Sequence, residues 1–302
     1  MTTYAETIEL DVRDARLMDL VAADALIEQI ATGFGFTEGP AWDQTHQCLI
    51  LSDITGNTMY RWSRSSGLHV FRRPSNMANG NTFDRAGRLL TCEHATSRVV
   101  RMSRDGAIDL LATHYADKEL NSPNDLVVHS SGAIYFTDPL SGRSARYGIE
   151  RPSQLGFQGV YRLEPAEQVI TMLTDDFVLP NGLCFSWDEQ QLFVNDTRRG
   201  HIRAFDVQAD GTLIGGRVWA EVDGTGEGAP DGMKLDQQGN VWCTGPGGIH
   251  VFAPDAMYLG VLRLKERVAN FAWGDADGQT LFITASTSLY AVRTNIAGHR
   301  PG

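Results

Sequence analysis

The stretch Gly228-Ala229-Pro230-Asp231-Gly232-Met233 sets a carboxylate directly before a short strand-like run, Met233-Lys234-Leu235. The same phrase returns with changed lettering at Thr37-Glu38-Gly39-Pro40, Ala78-Asn79-Gly80, Ser122-Pro123-Asn124-Asp125 and Leu179-Pro180-Asn181-Gly182. Each copy opens a similar block. A second apolar strand follows, as in Leu49-Ile50-Leu51, Ile134-Tyr135-Phe136 and Val241-Trp242-Cys243, and then a third, as in Met59-Tyr60-Arg61-Trp62 and Ile249-His250-Val251-Phe252. Turns such as Asp84-Arg85-Ala86-Gly87 and Asp236-Gln237-Gln238-Gly239 join them with hairpin chemistry. A sixth block runs through Leu281-Phe282-Ile283 and Leu289-Tyr290-Ala291-Val292, and offers Asn270 about one residue out of phase.

Fourth strands are visible in five blocks, for example Val169-Ile170-Thr171-Met172-Leu173. The sixth has none, because only a polar tail follows Val292. One strand-like piece, Ala25 to Ala31, stands unassigned before the first block, where it can close the last unit. Six four-stranded units of roughly 40 to 50 residues predict an all-β chain folded as a six-bladed β-propeller, its last blade closed by an N-terminal strand. A β-sandwich with long insertions does not explain the regular phase. The expected organisation is one propeller domain over residues 1–302. Residues 1–24 form an extension with a short amphipathic helix over Asp14 to Asp24. Residues 139–159 form an insertion in the third block, expected to act as a lid over one mouth of the channel.

Composition narrows the function. A formal net charge of -11 argues against nucleic acid, whose binders carry a basic stripe. No apolar run approaches the ~20 residues of a membrane helix. The N-terminus lacks the basic start and apolar core of a signal peptide, so a cytoplasmic location is the expectation. The four cysteines, Cys48, Cys92, Cys184 and Cys243, are widely spaced within apolar runs, without a CxxC pair, and read as small core residues.

In a propeller the innermost strands line the central channel, so residues at their starts ring one mouth. The repeat therefore places Glu38, Asn79, Asn124, Asn181 and Asp231 together. Two carboxylates and several amides make a hard, all-oxygen site that suits Ca²⁺, Mg²⁺ or Mn²⁺ better than Zn²⁺. The competing reading is turn chemistry alone, since Asn-Gly and Asp-Gly are strong hairpin signals. Two features oppose it. Proline stands directly before Asn124, Asn181 and Asp231. The polar residue also keeps its phase in five blocks, which turns do not demand.

These residues resemble the gluconolactonase, regucalcin (senescence marker protein) and lactonase-like family of six-bladed propellers, and most nearly its bacterial gluconolactonase-like members. The resemblance runs from about Phe36 to Val292. It rests on Phe36-Thr37-Glu38-Gly39-Pro40-Ala41-Trp42, Cys92-Glu93-His94, Asn121 to Asp125, Tyr135 to Pro139, Pro180-Asn181-Gly182, Pro230-Asp231-Gly232 and Thr244 to Gly248. It implies one divalent ion held by Glu38, Asn181 and Asp231, with Asn124 as a fourth ligand or substrate contact. Ca²⁺ is the expected ion, with Mg²⁺, Mn²⁺ and Zn²⁺ as alternatives. It further implies Asp231 as the catalytic carboxylate, as general base or as nucleophile. The expected reaction is hydrolysis of a sugar lactone, with Asn79 and His94 contacting substrate hydroxyls.

Asp138 is open between a turn residue, an ion ligand and a pocket wall. Organophosphate triester hydrolysis on the same ion site, a non-catalytic calcium- or ligand-binding propeller, and a protein-interaction propeller are the rival readings. Oligomeric state is not legible.

Overall fold

Apolar side chains at alternate positions give each block a face to bury on either side, and the blocks stack accordingly. The computed structural model describes residues 4–299. Each block forms an antiparallel sheet whose strands pair in sequence order. The first strands of the six sheets are Thr37–Asp43, Ala78–Phe83, Leu126–Val128, Pro180–Phe185, Met233–Leu235 and Val268–Gly274. Each touches its neighbours, and the last touches the first, so they close a ring. This is the expected six-bladed propeller. In blade six, Thr280–Ala285 and Ser288–Arg293 are followed by Leu26–Thr32, which pairs with Ser288–Arg293 and seals the circle.

Between the blades the core divides into apolar clusters, one at each junction. Cys48, Ile50 and Met59 meet Ala78 and Leu89 between blades one and two, while Trp242 and Ile249 meet Phe271 and Ile283 between five and six. At the closing seam Phe282 stacks on Trp42, ring centroids 5.4 Å apart. Each such large side chain contributes about 1.5–3 kcal/mol by leaving water, so the seam is held by the same packing as the other junctions. All four cysteines are buried and free. No helix among the described residues is long and apolar enough to cross a membrane.

The N-terminal segment differs from the expectation. The helix is one turn, Leu17–Leu20, without a side-chain cap, and buries Leu17 and Leu20 against the cluster between blades five and six. The residues before it add edge strands: Tyr4–Thr7 pairs with Leu26–Thr32, and Glu9–Val12 pairs with Tyr258–Arg263. The reason lies in the pattern Thr7-Ile8-Glu9-Leu10-Asp11-Val12, which alternates with period two. Blades five and six therefore have five strands each.

The start of the inner strand is irregular in several blades. The ladder shifts register between Glu38 and Ala41, Ala78 and Asn81, Pro180 and Leu183, and Val268 and Asn270. Such bulges re-aim side chains. Here they bring the backbone of one blade against the next. Gly182 donates its N–H to the Asp231 carbonyl at 3.0 Å, and a Cβ on Gly182 would lie 2.0 Å from that oxygen. Gly39, at φ +50°, would put a Cβ 1.9 Å from the Asn79 carbonyl. The glycine after the polar residue is thus required by close approach, rather than by a hairpin turn.

Candidate active site

Glu38, Asn79 and Asn181 lie at the starts of inner strands, Asn124 and Asp231 two residues before theirs, all around one end of the channel, and all are buried. Their backbones are held from outside the ring. Ser52 donates to the Asn79 carbonyl at 2.8 Å, Asn195 to the Asp231 carbonyl at 2.6 Å, and Thr197 to the Pro230 carbonyl at 2.7 Å. These contacts fix the main chain from which the site's side chains project.

Glu38 and Asp231 are close enough to hydrogen-bond each other. Asn270 Nδ2 donates to Glu38 at 3.1 Å, so the out-of-phase residue of the sixth block does join the ring. Asn181 Nδ2 donates to Thr197 Oγ1 at 3.1 Å, and the Asn181 amide lies close enough to the Asp231 carboxylate to lower its pKa. Burial, and then the charge of Asp231, hold the Glu38 carboxyl well above the usual range. Burial likewise pushes Asp231 up to about 7, against the lowering effect of the nearby Arg267 guanidinium. Two carboxyl groups so placed hold a proton between them when nothing else balances their charge.

Asn79 Nδ2 donates to His94 Nε2 at 3.0 Å, and His94 Nδ1 lies 2.8 Å from the Tyr147 carbonyl. The Tyr147 contact requires the proton on Nδ1, leaving Nε2 as acceptor. Burial lowers the imidazole to about 4, so it is neutral at physiological pH. His94 therefore reaches the mouth through Asn79 and the insertion, both ring nitrogens being occupied. The Asn79 side-chain oxygen is buried without a partner. Asn124 Nδ2 lies 3.4 Å from Ser141 Oγ, again on the insertion.

That insertion, expected over 139–159 and ended at residue 158 by the strand Gly159–Glu164, is held down by its own arginines. Arg143 donates to the carbonyls of Asn121 at 2.8 Å and Pro152 at 2.6 Å and pairs with Glu119 at 2.7 Å. Arg151 donates to the His94 carbonyl at 3.2 Å. Tyr147 packs on Phe36, two residues before Glu38, with ring centroids 5.0 Å apart.

Asp138 is occupied elsewhere. Its two oxygens accept the N–H groups of Asn121 and Ser122, each at 2.7 Å, and burial raises it to about 7. Asp53 accepts N–H groups from Gly35 and Phe36, and Asp196 from Val178 and Leu179, in the same way. An acid at the end of the second strand thus clamps the loop leading into the inner strand. Glu93 holds the same place in blade two, pairing with Arg72 and Arg98. Replacing Asp138 by Asn turns one acceptor into a donor facing an N–H. Asp138→Asn is expected to lower stability by about 1–3 kcal/mol. A urea midpoint shifted down at unchanged slope, with Ca²⁺ affinity unaltered in calorimetry, would mark the residue as a clamp.

Two further charged groups escaped the sequence reading. Asp125 is buried beside Asn124, with one oxygen unbonded and Lys234 Nζ 3.6 Å away. It stands where the other copies of the phrase carry glycine, and that departure was the available signal. Arg267 Nη2 lies 3.5 Å from Asp231 Oδ2. It belongs to a loop outside the repeated phrase, so no periodic signal marks it.

The donor set fits a hard divalent cation. Two facing buried carboxyl groups have the single Arg267 guanidinium beside them, amide side chains ring them, and among the described residues no thiol joins them. Among the described residues no group of three or more His, Cys, Asp and Glu side chains gathers as a metal cluster. A cation here would therefore draw on amide oxygens as well. A larger recess of about 620 Å³ opens at the far ends of the inner strands, lined by Trp42, Phe83 and Trp273, away from Glu38 and Asp231.

Comparison with known proteins finds similar chains over most of this length. The gluconolactonase of Zymomonas mobilis is 31% identical over 308 residues, covering 94% of this chain and 85% of its own. A pentonolactonase of Haloferax volcanii is 23% identical over 257 residues, covering 82% and 81%. Among solved structures, a gluconolactonase of Xanthomonas campestris superposes with a TM-score of 0.89 at 33% identity, covering 96% of this chain and 97% of its own. Residues 36–287 match the family described as SMP-30/Gluconolactonase/LRE-like region, and the chain belongs to that family.

Proposed function

We infer that this chain is a divalent-metal-dependent hydrolase of sugar lactones, opening a gluconolactone-type ring to the aldonic acid. The observation that carries this is the apposition of Glu38 and Asp231 at the channel mouth, buried and ringed by Asn79, Asn124 and Asn181. Its family relatives, named as lactonases, support the reaction class.

Glu38, Asn124, Asn181 and Asp231 would hold the ion, and Ca²⁺ suits their all-oxygen chemistry. When bound, such an ion supplies positive charge that polarises the lactone carbonyl. The remaining work falls to side chains. Asp231 takes a proton from the water that attacks the carbonyl carbon. The ring carbon–oxygen bond then breaks, and the same proton passes to the departing alkoxide, leaving an open-chain hydroxy acid. Burial makes Asp231 a stronger base than an exposed aspartate, and its Asn181 contact orients it. Asn79 presents an unpartnered oxygen toward substrate hydroxyls, and His94, its ring nitrogens both occupied, acts there by holding Asn79 rather than by direct contact. The 139–158 insertion, docked on Phe36 and His94, serves as the lid that limits water at the mouth. Acid release from D-glucono-1,5-lactone above the spontaneous rate tests this reading. Its absence, with turnover of an organophosphate triester such as paraoxon instead, would replace it.

A further inference from the structure

The mouth of this site is more basic than an overall acidic protein would lead one to expect. A cavity of about 570 Å³ is lined by Phe36, Arg146, Glu227 and Arg267, next to the Gly228–Pro230 approach to Asp231. The insertion carries three arginines, and they divide by environment. Arg143 and Arg151 engage Glu119 and bind the loop down. Arg146 has no carboxylate partner among the described residues. It lies over the Tyr147 ring at 4.9 Å, exposed at the cavity edge.

Arg267 stands across from it. Its guanidinium lies 5.8 Å above the Phe36 ring, and its Nε is buried without a hydrogen-bond partner. Phe36 and Tyr147 pack on each other, so the two guanidiniums flank one aromatic pair. Stacking of this kind holds an arginine's planar fork in place for bidentate contact with a carboxylate or phosphate. Among the described residues Glu227, exposed at the rim, is the one acid lining this cavity, while Asp231 lies beyond it, 3.5 Å from Arg267 Nη2. Against a net charge of -11, a mouth with two arginines and one glutamate is a local reversal of sign.

We propose that Arg146 and Arg267 select an anionic lactone, one bearing a phosphate or carboxylate distal to the reacting carbonyl, over its neutral counterpart. This rests on the lactonase reading above and names the substrate class of the same site. Tests use the Ca²⁺-loaded protein and two pairs of lactones. Within each pair the lactone ring is the same and the charge differs: the first is D-glucono-1,5-lactone against its 6-phosphate, and the second is D-galactono-1,4-lactone against D-galactaro-1,4-lactone.

The anionic member of at least one pair is expected to have a kcat/KM higher by about tenfold or more, the scale of one charge-assisted hydrogen bond. Which pair shows it identifies phosphate or carboxylate as the recognised group. Its advantage should shrink with added salt, and should fall in Arg146→Gln and Arg267→Gln, with Arg146→Lys retaining part of it. As an equilibrium check, the anionic product of that pair should raise Tm more than the neutral-lactone product, and Arg146→Gln should reduce that difference. Ratios at or below one in both pairs, with the neutral lactones turned over, would overturn the inference and leave the lactonase reading standing. No turnover of any of the four would overturn both.

Discussion

Asp231→Asn is expected to lower kcat/KM for a sugar lactone by about 10³-fold or more, with the propeller intact. General base catalysis alone is typically worth 10²–10⁴-fold, and this carboxylate also contributes to the ion site. The fold should survive, because the ring is held by the main chain at this position. Gly182 donates to the Asp231 carbonyl, and so does Asn195, and neither contact uses the side chain. Asn is nearly isosteric and relieves the repulsion with Glu38, which burial makes costly. Steady-state kinetics and a thermal melt check this together. Retained turnover at an unchanged Tm would remove Asp231 from the chemistry.

Glu38→Gln should weaken Ca²⁺ binding by at least about 100-fold, beyond the 10- to 100-fold typical of losing a partner that only supports a ligand. The pair Glu38 and Asp231 also makes stability depend on pH, with a sign that the ion reverses. Both carboxyls are raised in the folded protein, Asp231 to about 7 and Glu38 well above the ordinary range, through burial first. In the metal-free protein the folded state therefore binds more protons than the unfolded chain above pH ~4. Their stabilising contribution is full below that pH and is lost as pH rises through 7. An ion must displace those protons, so its affinity climbs over the same range. Saturating Ca²⁺ should raise Tm by about 5 °C or more at pH 8, and by clearly less at pH 6. In Glu38→Gln the shift should shrink, and the metal-free variant should melt above the metal-free parent at pH 8. Differential scanning fluorimetry across pH 5.5–8.5 measures both effects. A Ca²⁺ shift independent of pH would contradict the shared-proton arrangement.

Much of this was legible because the chain repeats itself. One phrase, read at Glu38, Asn79, Asn124, Asn181 and Asp231, predicts which side chains share a mouth, and the second and third strands of six blocks predict the blade count. The closing strand was legible by subtraction, since Leu26–Thr32 fills the place that the sixth block leaves open. Features outside the period were not. Thr7 to Val12 is too short a period-two run to announce edge strands, and the helix expected beside it amounts to one turn. Arg267 lies in a loop that no other block copies. The acids at Asp53, Glu93, Asp138 and Asp196 do repeat, at the ends of second strands. The meaning of the three aspartates needed the backbone N–H groups they cap, and that of Glu93 the arginines it pairs with, and no residue letter displays either. His94 shows the same limit, for its neutrality comes from burial and its tautomer from a carbonyl 53 positions away.

The most direct test is acid release from D-glucono-1,5-lactone by protein stripped with a chelator, and then restored with Ca²⁺, Mg²⁺, Mn²⁺ or Zn²⁺ in turn. The account predicts that stripping returns the rate to the spontaneous one, and that Ca²⁺ restores it. Full activity in stripped protein whose metal content is shown to be negligible would contradict it.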